Sequence, residues 1–135
     1  MARILIADDE ESTVELLARI ITLLGHEPIP TYSGLEALAR IESEVPDLVL
    51  LDLMMPEVDG YETLRRIRRL PHGRFVPVVV ITASPEPDVE ERVHLAGGDK
   101  VYHKPISIAM LTEAIETQIE RRHELKTAPL PHLGA

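Results

Sequence analysis

The chain has 135 residues, 44% of them hydrophobic and 27% charged, which fits one globular domain with a core of ordinary size and leaves no room for a second. A formal charge of −9 weighs against phosphate-backbone binding as the main activity, and one Phe, three Tyr and no Trp offer little for base stacking, so no direct contact with nucleic acid is expected. With no cysteine, disulfides and thiol chemistry are excluded, and the apolar run before Asp8 is too short for a signal peptide or a membrane span; a cytoplasmic protein without membrane insertion is expected.

Ile4-Leu5-Ile6-Ala7 reads as a buried strand, and it ends in Asp8-Asp9-Glu10-Glu11. Ser12 or Thr13 then caps a helix whose apolar positions Val14, Leu17, Ala18, Ile21 and Leu24 recur at helical spacing, with Gly25 closing it. His26 to Thr31 is a weaker strand carrying Pro28 and Pro30, which belongs at a sheet edge because proline has no N–H for a ladder. Ser33-Gly34 opens a second helix with Leu35, Leu38 and Ile41 inward.

Leu48-Val49-Leu50-Leu51 is a second strand buried on both faces, and Asp52 follows where such a strand emerges. Pro56 blocks further pairing, and Asp59-Gly60 supplies a turn and a cap for a helix from about Tyr61 to Leu70, with Leu64, Ile67 and Leu70 on one side. The arginines of that helix, Arg65, Arg66, Arg68 and Arg69, are read as a solvated face in preference to an anion-binding patch. Val76 to Ile81 is another buried strand, ending in Thr82-Ala83-Ser84. Pro85 and Pro87 lead into a fourth helix with Val89, Val93 and Ala96, terminated by Gly97-Gly98. Lys100 to His103 is a fifth strand, followed by Lys104-Pro105. Ser107 caps a last helix with Ile108, Leu111, Ile115 and Ile119 inward, ending near His123. The domain is therefore placed at residues 1–123, and 124–135 is expected to be a flexible C-terminal tail without the pattern of a packed element.

Strands alternating with helices predict an α/β fold, an open five-stranded parallel sheet with helices on both faces. In such a sheet every strand ends on one rim, where ligands bind. Asp8, Asp9, Asp52, Thr82 and Lys104 each lie at or just beyond a predicted strand end, so they converge there. Two carboxylates about 4 Å apart repel by roughly 4 kcal/mol at an effective dielectric of about 20, so gathered acids call for a cation; oxygen ligands at a partly open site suit Mg²⁺. A structural Ca²⁺ site and a plain acidic loop are the alternatives for the acids alone.

Asp8-Asp9, Asp52 within Leu51-Asp52-Leu53-Met54-Met55-Pro56-Glu57-Val58-Asp59-Gly60, Thr82-Ala83 and Lys104-Pro105, in this order and at these separations, resemble a two-component response-regulator receiver domain over about residues 2 to 123. A phosphatase of the haloacid-dehalogenase type needs a second aspartate two residues after the nucleophile, where Met54 stands. The resemblance implies the flavodoxin-like strand order 2-1-3-4-5, known from members of this family. It implies that Asp52 accepts a phosphoryl group from a sensor histidine kinase or a histidine phosphotransfer protein. Asp8, Asp9, Asp52 and the Met54 backbone carbonyl would hold Mg²⁺, while Thr82 and Lys104 would bind phosphoryl oxygens. Catalysis is confined to the protein's own phosphorylation and dephosphorylation, so it is not expected to be an enzyme towards other substrates.

The expected function is a stand-alone receiver that signals through phosphorylation-dependent contacts with a downstream protein, a phosphorylation-dependent homodimer among them. A phosphorelay intermediate, or the receiver portion of a DNA-binding regulator lacking its output domain, is the alternative. The sequence departs from the family in one place: the aromatic usual three positions before the lysine is Val101, with Tyr102 beside it. Signalling is accordingly expected to rest less on a rotating ring than on backbone shifts around Ser84 to Val89.

Overall fold

The computed structural model describes residues 1–127. The chain runs β1 (Arg3–Ala7), α1 (Glu11–Leu23), β2 (Glu27–Thr31), α2 (Gly34–Glu44), β3 (Leu48–Leu51), α3 (Gly60–Arg69), a 3₁₀ turn (Pro71–Gly73), β4 (Val78–Thr82), α4 (Val89–Ala96), β5 (Lys100–His103) and α5 (Ile108–Thr127). The strands form one parallel sheet in the order β2-β1-β3-β4-β5. This is the expected flavodoxin-like architecture, with proline-bearing β2 at an edge.

Strand alternation divides the core in two. Leu5, Ala7, Val49, Leu51, Val78 and Val80 face Ala37, Ile41, Leu64, Ile67, Val89 and Val93 of α2, α3 and α4. Ile4, Ile6, Leu48, Leu50, Val79 and Ile81 face Val14, Leu17, Ile21, Leu111 and Ile115 of α1 and α5. Because the central strands are apolar on both faces, they tolerate no carboxylate until they reach the rim, and that pushes the acids to the strand ends.

Several local readings are corrected. Helix α1 starts at Glu11, before the start that a Ser12 or Thr13 cap allows, and Glu10 at its N-cap makes no side-chain capping bond. In α2 the buried positions are Gly34, Ala37 and Ile41, which turns Leu35 outward to 51% exposure. Gly34 belongs to that face because a Cβ there would collide with Thr63 of α3. In α5 the buried stripe begins at Leu111, leaving Ile108 in the first turn 66% exposed. The same helix continues to Thr127, past the expected end near His123. Of the expected tail, residues 128–135 lie outside the described residues.

Arg68 is not part of a solvated face. Its guanidinium donates to the carbonyls of Gly97 (2.9 Å), Gly73 (3.0 Å) and Val76 (2.5 Å) and to Asp99 Oδ2 (3.1 Å). Asp99 Oδ2 also accepts the Val78 N–H at 2.8 Å, so one side chain gathers the ends of α3 and α4 and the start of β4. Burial lowers the Arg68 pKa, against the pull of Asp99.

Candidate functional site

The rim at the strand C-termini is assembled by backbone pairing that runs past the strands. Asp52 N–H donates to the Ala7 carbonyl (2.9 Å), Asp8 N–H to the Thr31 carbonyl (3.3 Å), and Lys104 N–H to the Thr82 carbonyl (2.8 Å). Each places its side chain directly above the sheet. Asp59 caps α3 by accepting the Glu62 N–H at 2.9 Å, and Gly60 sits so close to β3 that a Cβ would collide with Leu53 Cα. Only glycine lets the helix begin there, and the Asp52–Asp59 loop is thereby folded back beside the acids.

Asp8, Asp9 and Asp52 each bring a carboxylate oxygen within 4.8 Å of the others. Asp8 and Asp52 are buried, at 3% and 5% exposure, while Asp9 is open to solvent. Lys104 lies between the buried pair, its Nζ donating to Asp8 Oδ2 at 2.9 Å and to Asp52 Oδ2 at 3.2 Å. The second oxygen of each is held by backbone: Asp8 Oδ1 accepts from Glu10 N–H (2.9 Å) and Asp52 Oδ1 from Met54 N–H (3.2 Å). The Lys104–Pro105 peptide is cis.

Burial pushes the Asp52 carboxyl above the ordinary aspartate range; the Met54 N–H opposes this, the Asp8 charge adds to it, and Lys104 counters. Burial weighs against the Lys104 charge, but the hydrogen bond to Asp8 and the charges of Asp52 and Asp8 outweigh it and raise its pKa. Three carboxylates thus face one ammonium. The surplus is two negative charges on oxygen donors at a partly open rim, which fits a divalent hard cation such as Mg²⁺.

Thr82 is fully buried at the last position of β4, and its Oγ1 accepts the Ser84 N–H at 3.1 Å, which leaves the hydroxyl proton to donate elsewhere. Thr82 reaches the same rim as Asp52 because β4 pairs with β3 in parallel, Leu51 opposite Val80. Of Met54, the peptide N–H is engaged by Asp52, and the residue is 59% exposed. The structure therefore brings Asp8, Asp9, Asp52 and Lys104 into one cluster, with Thr82 and Met54 on its flanks.

Tyr102 does not stand in for the missing aromatic. β5 pairs with β4 in unbroken register, Val80 opposite Val101 and Ile81 opposite Tyr102, so no bulge exchanges the two. Val101 packs with the α2–α4 side of the core and Tyr102 with the α1–α5 side.

One feature escapes the sequence reading. A cavity of about 390 Å³ opens beside the cluster, lined by Asp8, Asp52 and Lys104 at one end and by Leu16, Leu17, Leu50 and Ile106 along its length. Its signal is Leu16, an apolar residue off the inward stripe of α1 and 58% exposed.

Comparison with known proteins agrees with this arrangement. Residues 4–116 match the family model of the response regulator receiver domain. The polar-differentiation response regulator DivK of Brucella ovis is 34% identical over 116 residues, covering 86% of this chain and 94% of that protein. A CheY-like receiver domain protein from Methanospirillum hungatei superposes with a TM-score of 0.87 at 26% identity, covering 93% of this chain and 98% of that one. The receiver domain of a sensor histidine kinase from Pseudomonas aeruginosa, described with a magnesium ion coordinated in its active-site cleft, gives a TM-score of 0.81 at 27% identity over 88% and 98% of the two chains. From its acid cluster, its sheet order and these similarities, the chain belongs to the response-regulator receiver family of two-component signalling.

Proposed function

We propose that the protein is a stand-alone receiver that takes a phosphoryl group on Asp52 from a phosphohistidine of a sensor histidine kinase or phosphotransfer protein and signals through the resulting change in protein contacts. The observation that carries this reading is the Lys104 ammonium shared by two buried carboxylates beside a third acid. An Asp52 oxygen attacks phosphorus, the phosphorus–nitrogen bond breaks, and the imidazole leaves; later a water attacks the same phosphorus and restores the carboxylate. The protein works on no other substrate. Asp8, Asp9, Asp52 and the Met54 carbonyl would hold Mg²⁺, which when bound neutralises charge on the phosphoryl oxygens.

Lys104 needs only to shift its ammonium from Asp52 to a phosphoryl oxygen, and Thr82 has its hydroxyl proton free for another. The apolar cavity along Leu16 and Ile106 opens beside Asp52, which suits a donor that presents its histidine from a packed helix. DivK-type relatives matched over 94% of their length support a receiver that stands alone. With Val101 where an aromatic is usual, the phosphorylated state is transmitted by backbone shifts around Ser84 to Val89, a reading that the unbroken β4–β5 register supports.

Incubation with acetyl phosphate and Mg²⁺ followed by intact mass spectrometry tests the assignment. The parent is expected to gain one phosphoryl group and Asp52→Asn none; a parent that gains none, or an Asp52→Asn protein that still gains one, refutes it.

A further inference from the structure

The chain carries −9 overall, yet residues 65–75 hold five arginines, a histidine and no acid. Arg68 is consumed by the fold. Arg65 and Arg66 share Glu62 at 3.6 and 3.7 Å. Arg74 has no acidic partner among the described residues; its guanidinium lies 5.6 Å from the ring centre of Phe75. Phe75, the only phenylalanine in the sequence, is 86% exposed. A small recess of about 80 Å³ adjoins it, lined by Phe75, Pro77, Asp99, Gln118, Arg121 and Arg122. Its one acid, Asp99, is already held by Arg68 and the Val78 N–H. Arg122 leans on Asp47 at 4.0 Å, and its Nε is buried without a hydrogen-bond partner among the described residues.

We infer that Phe75, Arg74, Arg121 and the adjoining recess form a docking surface for an acidic segment of a partner protein, one that sets an apolar side chain on Phe75 and its carboxylates on the arginines. An exposed aromatic bordered by arginines has the composition of an interface anchor. Net charge alone repels an acidic ligand, so recognition of one must be local to this patch. The surface adjoins the start of β4, whereas the acid cluster lies at the strand C-termini. Docking is therefore independent of the state of Asp52, and it goes beyond the phosphoryl chemistry proposed above.

The full chain, labelled with ¹⁵N, is titrated with the peptide (Glu-Glu-Leu)₄ and, in parallel, with (Lys-Lys-Leu)₄, phosphatidylglycerol vesicles, and no ligand in sedimentation velocity. The expected result is saturable shifts confined to residues 74–77, 99 and 118–122 with the acidic peptide, weakened roughly tenfold or more by Phe75→Ser and by Arg74→Glu/Arg121→Glu, and weakened as salt rises. The same shifts are expected in Asp52→Asn. Both patch variants are expected to keep the parent's melting temperature and to take up phosphoryl from acetyl phosphate, which separates loss of docking from loss of fold or of the Asp52 chemistry. Shifts that fall elsewhere, an unchanged affinity in the variants, preferential binding to vesicles, or self-association through this face overturns the inference.

Discussion

Replacing Lys104 by methionine removes the ammonium between Asp8 and Asp52 and keeps an apolar stem of similar length. At 2.9 and 3.2 Å, each attraction amounts to about 5 kcal/mol at an effective dielectric of about 20. Desolvation already offsets much of that gross figure. Breaking a buried ion pair costs roughly 3–5 kcal/mol, because the remaining charge is stranded. Here the Lys104 side chain is 21% exposed, so the lower end applies, about 3 kcal/mol. With a urea slope of about 1.5–2 kcal/mol/M, the unfolding midpoint should fall by about 1.5–2 M at pH 7.5 in EDTA. Mg²⁺ at 10 mM should recover a large part of this, since a divalent ion replaces the lost positive charge and stabilises the form that binds it. The parent should gain less, its own ammonium already being in place. A Lys104→Met protein as stable as the parent in EDTA, or one indifferent to Mg²⁺, refutes the view that the acids are held together by compensating charge.

Three further outcomes are expected. Asp52→Asn should be more stable than the parent at pH 7.5, since a carboxylate with a raised pKa is penalised when ionised; this group's share of stability is present below its unfolded pKa of about 3.9 and is lost as pH rises through the higher folded value, so urea curves between pH 3.5 and 7.5 should show a smaller loss in the variant. The Lys104 pKa is raised, so its contribution should persist up to the unfolded value of about 10.4 and disappear as pH climbs through the folded one, a loss missing from Lys104→Met. Val45→Asn should stabilise by about 0.5–1 kcal/mol in thermal melts, because Val45 ends α2 in the left-handed region (φ +48°), where a β-branched residue is strained, and it is 43% exposed with little packing to lose.

The strands and their order were legible because each central strand is a short apolar run closed by a polar residue at the rim: Ala7 by Asp8, Leu51 by Asp52, Ile81 by Thr82. Such runs have no face to hide an acid, so the site falls at their ends. What stayed hidden depends on contacts between distant segments. The strand pattern brings Lys104 to the same rim as Asp8, but nothing local marks the ion pair that joins them across 96 positions. Arg68 looks like its neighbours in sequence, and only the approach of Gly97 and Asp99 makes it structural. Leu35 and Ile108 sit in first turns, where a helix has not yet come over the sheet and apolar periodicity overstates burial. The start of α1 was misplaced because Ser12 and Thr13 are good caps by type, while the chain turns into the helix at Glu10, before either of them.

The Arg68 clasp divides the molecule into ends of unequal firmness. Three carbonyls and a carboxylate are fastened by one guanidinium at the origin of β4, whereas the amides of Glu10, Met54 and Ser84 opposite are each secured by a single side-chain oxygen. In deuterium exchange the Val78 amide should open only with global unfolding, while those three open by local fluctuation far sooner. The loops around the acid cluster can thus rearrange at small cost above a base that does not yield.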